Sequence, residues 1–389
     1  MTDVFAVSDN ILSPLGMTSA ENFERLKEGV SGIRLQEDKS ISDEPFYAAL
    51  FDLKMDEELA ASIPLSRNFT KFERLLIASV RQALAGSGVD PADPGTALII
   101  STTKGNISLL EAAEPVPDLT TNIALHTSAK KVAGYFQFVS QPLVVSNACI
   151  SGSLGIITGM RLIRSGRYRH AVIAGADLIS KFVLSGFQSF QAVSPEPCRP
   201  FDKDRLGISL GEGAATLILS GNKALIRGAS IKVAGGSTGN DANHISGPSR
   251  TGQELGTIIQ KALGESGVTA EDIDHISAHG TATPYNDEME AKAIFLTGMS
   301  RTPVNSLKGY YGHTLGAAGL IESIITIASM KEDLVIPTMG FRKLGVTVPI
   351  HVAQSFLPTK LEHCLKTASG FGGCNAALVF SKLNASYTA

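Results

Sequence analysis

A chain of 389 residues with 43% hydrophobic and 18% charged residues is long enough for two or three domains or one large two-part fold, and too apolar to remain disordered. A net charge of −3 gives no reason to expect nucleic acid or a membrane surface as partner. The four cysteines, Cys149, Cys198, Cys364 and Cys374, stand in no CxxC pairing, which argues against a structural zinc site, and the 38 glycines fit an α/β enzyme with many tight strand-to-helix turns.

Residues 4–13 read as a first strand that runs into Pro14-Leu15-Gly16. Phe72, Leu75, Leu76, Ser79, Val80 and Ala83 fall at helical spacing and predict a helix over 69–85. The continuous apolar run 96–101 is a strand of the kind a parallel sheet buries on both faces, and 111–122, with Pro115 and Pro117, reads as a loop. A strand then leads to Cys149, a helix continues to about residue 164, and further strands are expected at 171–176 and 214–220. The second half repeats the pattern: a strand at 231–235, an amphipathic helix over 253–263, a strand over 274–279, a helix over 287–295, a short strand at 303–306, a helix over 316–330, and strands near Val335, Val352 and 376–380. Two successive α/β halves, 1–221 and 222–389, suggest an internal duplication. Each half sets a strand end, at Cys149 or His279, at the ligand-binding edge of its sheet.

The N-terminus carries Asp3 rather than a basic cluster, and no apolar stretch of about 18 residues escapes interruption. A cytoplasmic protein with reduced thiols and no membrane contact is the expectation.

The chemistry concentrates in four stretches. Val144-Val145-Ser146-Asn147-Ala148-Cys149 is an apolar run that passes at once into Ile150-Ser151-Gly152-Ser153. A sulfur at such a helix start meets unpaired backbone N–H groups that favour thiolate over thiol; the alternative is a buried structural cysteine. His279-Gly280-Thr281-Ala282-Thr283-Pro284 puts an imidazole on a tight turn. Ser306-Leu307-Lys308-Gly309-Tyr310-Tyr311-Gly312-His313 adds a lysine and a second histidine, and the following Gly316-Ala317-Ala318-Gly319 lets a helix approach another backbone closely. Gly370-Phe371-Gly372-Gly373-Cys374-Asn375 is a glycine-rich turn before the last strand, suited to aiming backbone donors at an oxyanion.

Together these four stretches, with Arg199-Pro200-Phe201-Asp202 and Gly211-Glu212-Gly213 as a fifth, resemble in order the signatures of elongating β-ketoacyl-[acyl carrier protein] synthases. The resemblance covers essentially the whole chain. It implies an α/β thiolase fold, two similar βαβαβαββ halves in an α-β-α-β-α layering. It also implies a decarboxylative Claisen condensation of an acyl thioester on Cys149 with malonyl-acyl carrier protein. His279 and His313 would stabilise the enolate, and the backbone N–H groups of Cys149 and Phe371 would form the second oxyanion hole. Lys308 would pair with Glu322 behind the site, and Thr281 and Thr283 would hold the phosphopantetheine arm of the carrier. No bound cofactor or metal is implied. The expected partners are acyl carrier protein and a second subunit, identical or a related ketosynthase-like chain.

Ile150, Ala282, Leu206 and Ser369 depart from the family pattern around the acyl pocket and its gate. A type II polyketide or polyene ketosynthase, paired with a non-catalytic chain-length factor, is therefore the alternative to a fatty-acid enzyme; a thiolase fits less well because His279 occupies the discriminating position. Arg67, Lys71, Lys130, Lys131 and Arg199 are candidate contacts for an acidic carrier, whereas Arg161, Arg164, Arg167 and Arg169 read as a solvated helix end.

Overall fold

Strands rich in Val, Ile, Leu and Ala with few charges can be stable only if both sheet faces are covered, and this requirement decides the architecture. The computed structural model describes residues 2–64, 66–243 and 247–383. In the first half, β1 (Phe5–Leu12), β2 (Thr96–Ser101), β3 (Leu143–Val145), β4 (His170–Asp177) and β5 (Gly213–Ser220) form a sheet in the order β3-β2-β4-β5-β1. The second half adds β6 (Ser230–Asn240), β7 (His275–Ser277), β8 (Pro303–Asn305), β9 (His351–Val352), β10 (His363–Gly370) and β11 (Cys374–Leu383), ordered β6-β11-β10-β7-β8-β9. Counted along the chain from the junction, and setting aside the two-residue edge strand β9, both halves run first, fifth, fourth, second, third, with the same parallel and antiparallel choices. That is the βαβαβαββ plan twice over. The halves meet where Phe5 and Ala6 pair with Lys232 and Ile231.

Helices close every face. α1 (Lys71–Leu84) and α2 (Leu125–Tyr135) cover the outer face of the first sheet, and α4 (Gln253–Ser266) and α5 (Pro284–Leu296) the outer face of the second. Between the sheets lie α3 (Ser151–Arg164) and α6 (Ala318–Glu332). Along β4, Ala171 and Ile173 pack inward on these two helices, while Val172, Ala174 and Ala176 pack outward on α1. The result is the five-layered thiolase arrangement.

The small-residue run before α6 has the expected use. A Cβ on Gly319 would lie 2.5 Å from the Ser153 amide nitrogen, and one on Gly152 would lie 2.7 Å from the Leu320 nitrogen, so the two central helices touch backbone to backbone. Gly319→Val should force them apart and lower stability by about 3 kcal/mol, at the upper end of overpacking costs; an unchanged denaturant midpoint would show that the contact can relax.

Some elements differ from expectation. α5 begins at Pro284, capped by Thr283, and α6 begins at Ala318 after a short 3-10 turn over Leu315–Ala317. The expected loop at 111–122 holds the start of the helix Leu119–Ile123. Arg164 is no solvated end: it pairs with Glu265 at 2.5 Å and donates to the carbonyls of Val233 and Ala234, tying α3 to the second half. Arg161 does likewise to Gly236, and Arg169 pairs with Asp93. Among the described residues, no helix is long and apolar enough to cross a membrane.

Candidate active site

Beyond β3 the chain turns through Ser146, Asn147 and Ala148 into α3. Ala148 holds φ +43°, a left-handed conformation that costs an L-residue about 1 kcal/mol or more. Ser151 secures this elbow, its Oγ donating to the Ala148 carbonyl at 2.6 Å and accepting from the Asn147 N–H at 2.8 Å. Cys149 follows, 7% exposed, on the wall of a cavity of about 380 Å³. Burial pushes its thiol up to about 12; neighbouring Cys374 adds to the rise, and Lys104 and Lys308 oppose it. The helix start alone favours thiolate, but desolvation outweighs it. The Cys149 sulfur therefore rests as a thiol, and any reaction that uses it as a nucleophile must remove its proton.

His279 follows the end of β7 on a turn held by two buried carboxylates from α5. Glu290 accepts from the N–H groups of His279 and Gly280 at 2.8 and 2.7 Å and from the Thr367 hydroxyl at 2.6 Å. Asp287 accepts from the N–H groups of Thr281, Ala282 and Phe201, and burial raises its carboxyl to about 6 against those hydrogen bonds. The turn demands a glycine at 280, where φ is +43° and a Cβ would come within 2.5 Å of Ser306 Cβ. Ala282, also left-handed at φ +63°, shows why glycine suits that position.

His313 is fixed by its backbone to the other half of the molecule: its N–H donates to the Ser209 carbonyl at 2.7 Å and its carbonyl accepts from the Gly211 N–H at 3.1 Å. Its ring stands 5.2 Å from that of His279, nearly perpendicular at 82°. Lys308 lies behind them, its Nζ 3.4 Å from His279 Nδ1 and 2.5 Å from Glu322 Oε1. A lysine donating to Nδ1 selects the tautomer that carries its proton on Nε2. Burial, followed by the Lys308 charge, holds both imidazoles well below 6.5. They are therefore neutral donors at neutral pH. Because the neutral form persists below 6.5, any reaction that uses it should run at an even rate from pH 8 to 6.5, and a fall with an apparent pKa near 6.5 would contradict the assignment.

The cavity gathers Cys149, His279, His313, Thr281, Thr283 and Phe371 on one wall system, with Lys308 and Glu322 directly behind. The Thr281 and Thr283 hydroxyls are 2.9 Å apart. Phe371 stacks on Phe187 at 5.5 Å and meets Phe190 edge-on at 5.2 Å, keeping 37% exposure at the mouth. A Cβ on Gly370 would lie 2.9 Å from the Cys149 nitrogen, so the glycine-rich turn brings its backbone against the cysteine amide. Of the departures noted in the sequence, Leu206 and Ser369 line the cavity, while Ile150 and Ala282 are buried in the core.

Sequence reasoning passed over several residues that build this site. Asp177, at the end of β4, accepts from Thr102, Thr103 and the Gly316 N–H, joining the first sheet to the turn before α6. Glu290 and Asp287 do the same for the His279 turn. Lys104 and Lys366 add cations whose fields reach His313, and Lys366 also reaches His279. The acidic positions in the first two turns of α5, just after the histidine motif, were the available signal. Of the candidate carrier contacts, Arg67 and Lys130 are exposed, whereas Lys71 pairs with Asp56 and Glu212, Lys131 with Glu73, and Arg199 with Glu196.

Residues 1–224 match the sequence profile of the beta-ketoacyl synthase N-terminal domain and 229–342 that of its C-terminal domain. The chain belongs to the beta-ketoacyl synthase family. It is 31% identical to the 3-oxoacyl-[acyl-carrier-protein] synthase 2 of Vibrio cholerae and 30% identical to that of Vibrio harveyi, in each case over 96% of this chain and 97% of the relative. Among solved structures, a beta-ketoacyl synthase from Burkholderia phymatum superposes with a TM-score of 0.88 at 25% identity, covering 99% of this chain and 100% of that one. The ishigamide ketosynthase/chain length factor gives 0.88 at 27% identity, covering 98% and 100%. As a member of this family the chain has the thiolase fold described above, with its motif residues at one cavity.

Proposed function

We propose that this protein is an elongating β-ketoacyl-[acyl carrier protein] synthase of the Cys-His-His type, with its nucleophile in residues 1–221 and its imidazoles in 222–389. The observation that carries the reading is the convergence of one buried thiol and two neutral imidazoles on a single cavity. In the loading step the Cys149 sulfur attacks the acyl thioester carbonyl. The carrier thiol leaves with the proton that Cys149 gives up, and the backbone N–H groups of Cys149 and Phe371 receive the tetrahedral oxyanion. Malonyl-acyl carrier protein then enters, its pantetheine arm against Thr281 and Thr283 and its thioester carbonyl toward His279 and His313. The bond to the carboxylate breaks, carbon dioxide departs, and the electron pair moves into an enolate held by the two imidazoles. The enolate carbon attacks the acyl-Cys149 carbonyl, the C–S bond breaks, and the departing sulfur takes up one proton from water to return to the thiol. No bound cofactor enters the scheme. The enzyme works in the cytoplasm as a dimer, with Arg67 and Lys130 facing the acidic carrier.

A second reading keeps the chemistry and changes the pathway: a type II polyketide or polyene ketosynthase with a chain-length-factor partner. It is favoured by the likeness to the ishigamide ketosynthase/chain length factor and by the altered cavity residues Leu206 and Ser369. One experiment addresses both. Purified protein is incubated with a panel of acyl-carrier thioesters, alone and with a co-expressed partner chain, and then with malonyl carrier. An acyl mass gain followed by carbon dioxide and a 3-oxoacyl product supports the reading, and the preferred acyl group and partner requirement separate the pathways. Absence of both loading and carbon dioxide release across the panel would end it.

A further inference from the structure

The family resemblance pairs Lys308 with Glu322 alone, but the structure gives Glu322 a second cation. Lys366 lies in β10, between β7 and β11, with a wholly buried side chain. Its Nζ is 2.7 Å from Glu322 Oε2, while Lys308 holds Oε1 at 2.5 Å. The remaining Lys366 protons go to the carbonyls of Thr367 and Ser277, at 2.6 and 3.2 Å. One carboxylate is therefore shared by two lysines, directly behind the imidazoles. The other nearby acid, Glu290, is occupied by two backbone N–H groups and the Thr367 hydroxyl. A buried lysine in the middle of a sheet carries a large desolvation cost that an apolar residue would avoid.

We propose that Lys366 is a positioning residue for decarboxylation: by sharing Glu322 it leaves the Lys308 charge incompletely neutralised beside His279 Nδ1, so that the site holds surplus positive charge where the malonyl carboxylate is lost and the enolate forms. This rests on the condensing reaction proposed above. The charge has a second effect, because a cation near a buried imidazole disfavours its protonation. His279 faces Lys308, Lys366, His313 and, through its own backbone, Glu290; His313 faces Lys308, Lys104, Lys366 and His279, with Cys149 on the same cavity. Lys366 and Lys104 each add charge without touching either ring, and Lys366 is the one of the two that holds Glu322.

The test measures carbon dioxide release from malonyl carrier as a function of pH, alongside acyl loading of Cys149 by intact mass. In Lys366→Met, Lys308 and Glu322 become a neutral pair. Carbon dioxide release should fall at least about tenfold, its acid limb should move up toward 6.5, and loading should be retained. The double variant Lys366→Met/Glu322→Gln restores an unshared charge on Lys308 and should recover both the rate and the acid limb, at least in part. Lys366→Gln, which keeps donors for the two carbonyls, carries the same comparison should the methionine variant not fold. A wild-type rate and limb in the single variant would overturn the proposal, and so would a lower rate with an unmoved limb and no recovery in the double variant. If wild-type protein neither loads nor decarboxylates, the proposed function fails and not this inference.

Discussion

Cys149→Ala is expected to lower formation of 3-oxoacyl product by more than about 10⁴-fold, the scale of loss that follows removal of a catalytic nucleophile, and to abolish the covalent acyl adduct. The other buried thiol nearby sets the risk. Cys374 lies behind Gly370, close enough to raise the Cys149 thiol, and burial pushes Cys374 itself up to about 11. Cys149 lines the cavity and Cys374 does not, so in the proposed loading step the former is the thiol placed to meet the thioester. Intact-mass analysis decides the matter: an equal adduct on the alanine variant would move the nucleophile elsewhere and undo the assignment.

His313→Ala should reduce malonyl decarboxylation by about 10²- to 10³-fold, as loss of one oxyanion donor does, and leave acyl transfer to Cys149 largely intact. In the proposed scheme the two half-reactions separate, because loading would use backbone donors from Cys149 and Phe371 and the imidazoles would act on the second substrate. The substitution is also conservative structurally, since residue 313 is held to Ser209 and Gly211 by its backbone. Carbon dioxide release measured without an acyl donor isolates the step. A wild-type rate there would remove His313 from the reaction.

How much of this was readable in the sequence differs from residue to residue for physical reasons. Cys149, His279 and His313 each stand beside small or glycine residues whose backbone conformation they need, and such local demands are written locally. The strands of each half were legible as continuous apolar runs that fit only buried sheets, whereas their order in the sheet is set by pairing between segments far apart in the chain. Lys366 carries no local mark: it interrupts the strand His363–Gly370 as a single charge, and its partners arrive from α6 and β7 through tertiary contact. The same holds for Arg164, whose acceptors in the second half turn an apparent surface cation into a tie between halves. The state of the Cys149 thiol was misjudged for a related cause: the helix start is visible in sequence, whereas the desolvation that outweighs it arises only when both halves close over the sulfur.

The backbone clasp between His313 and the Ser209–Gly211 segment has an inherited cost. A Cβ on Gly211 would lie 2.0 Å from the Tyr311 oxygen, and one on Gly312 2.3 Å from the Leu210 oxygen, so neither side of the clasp can accept a larger residue unless the other yields. The two halves are therefore fitted to one another residue by residue at this seam. Neither could be exchanged for its counterpart from a distant relative without a matched change across it.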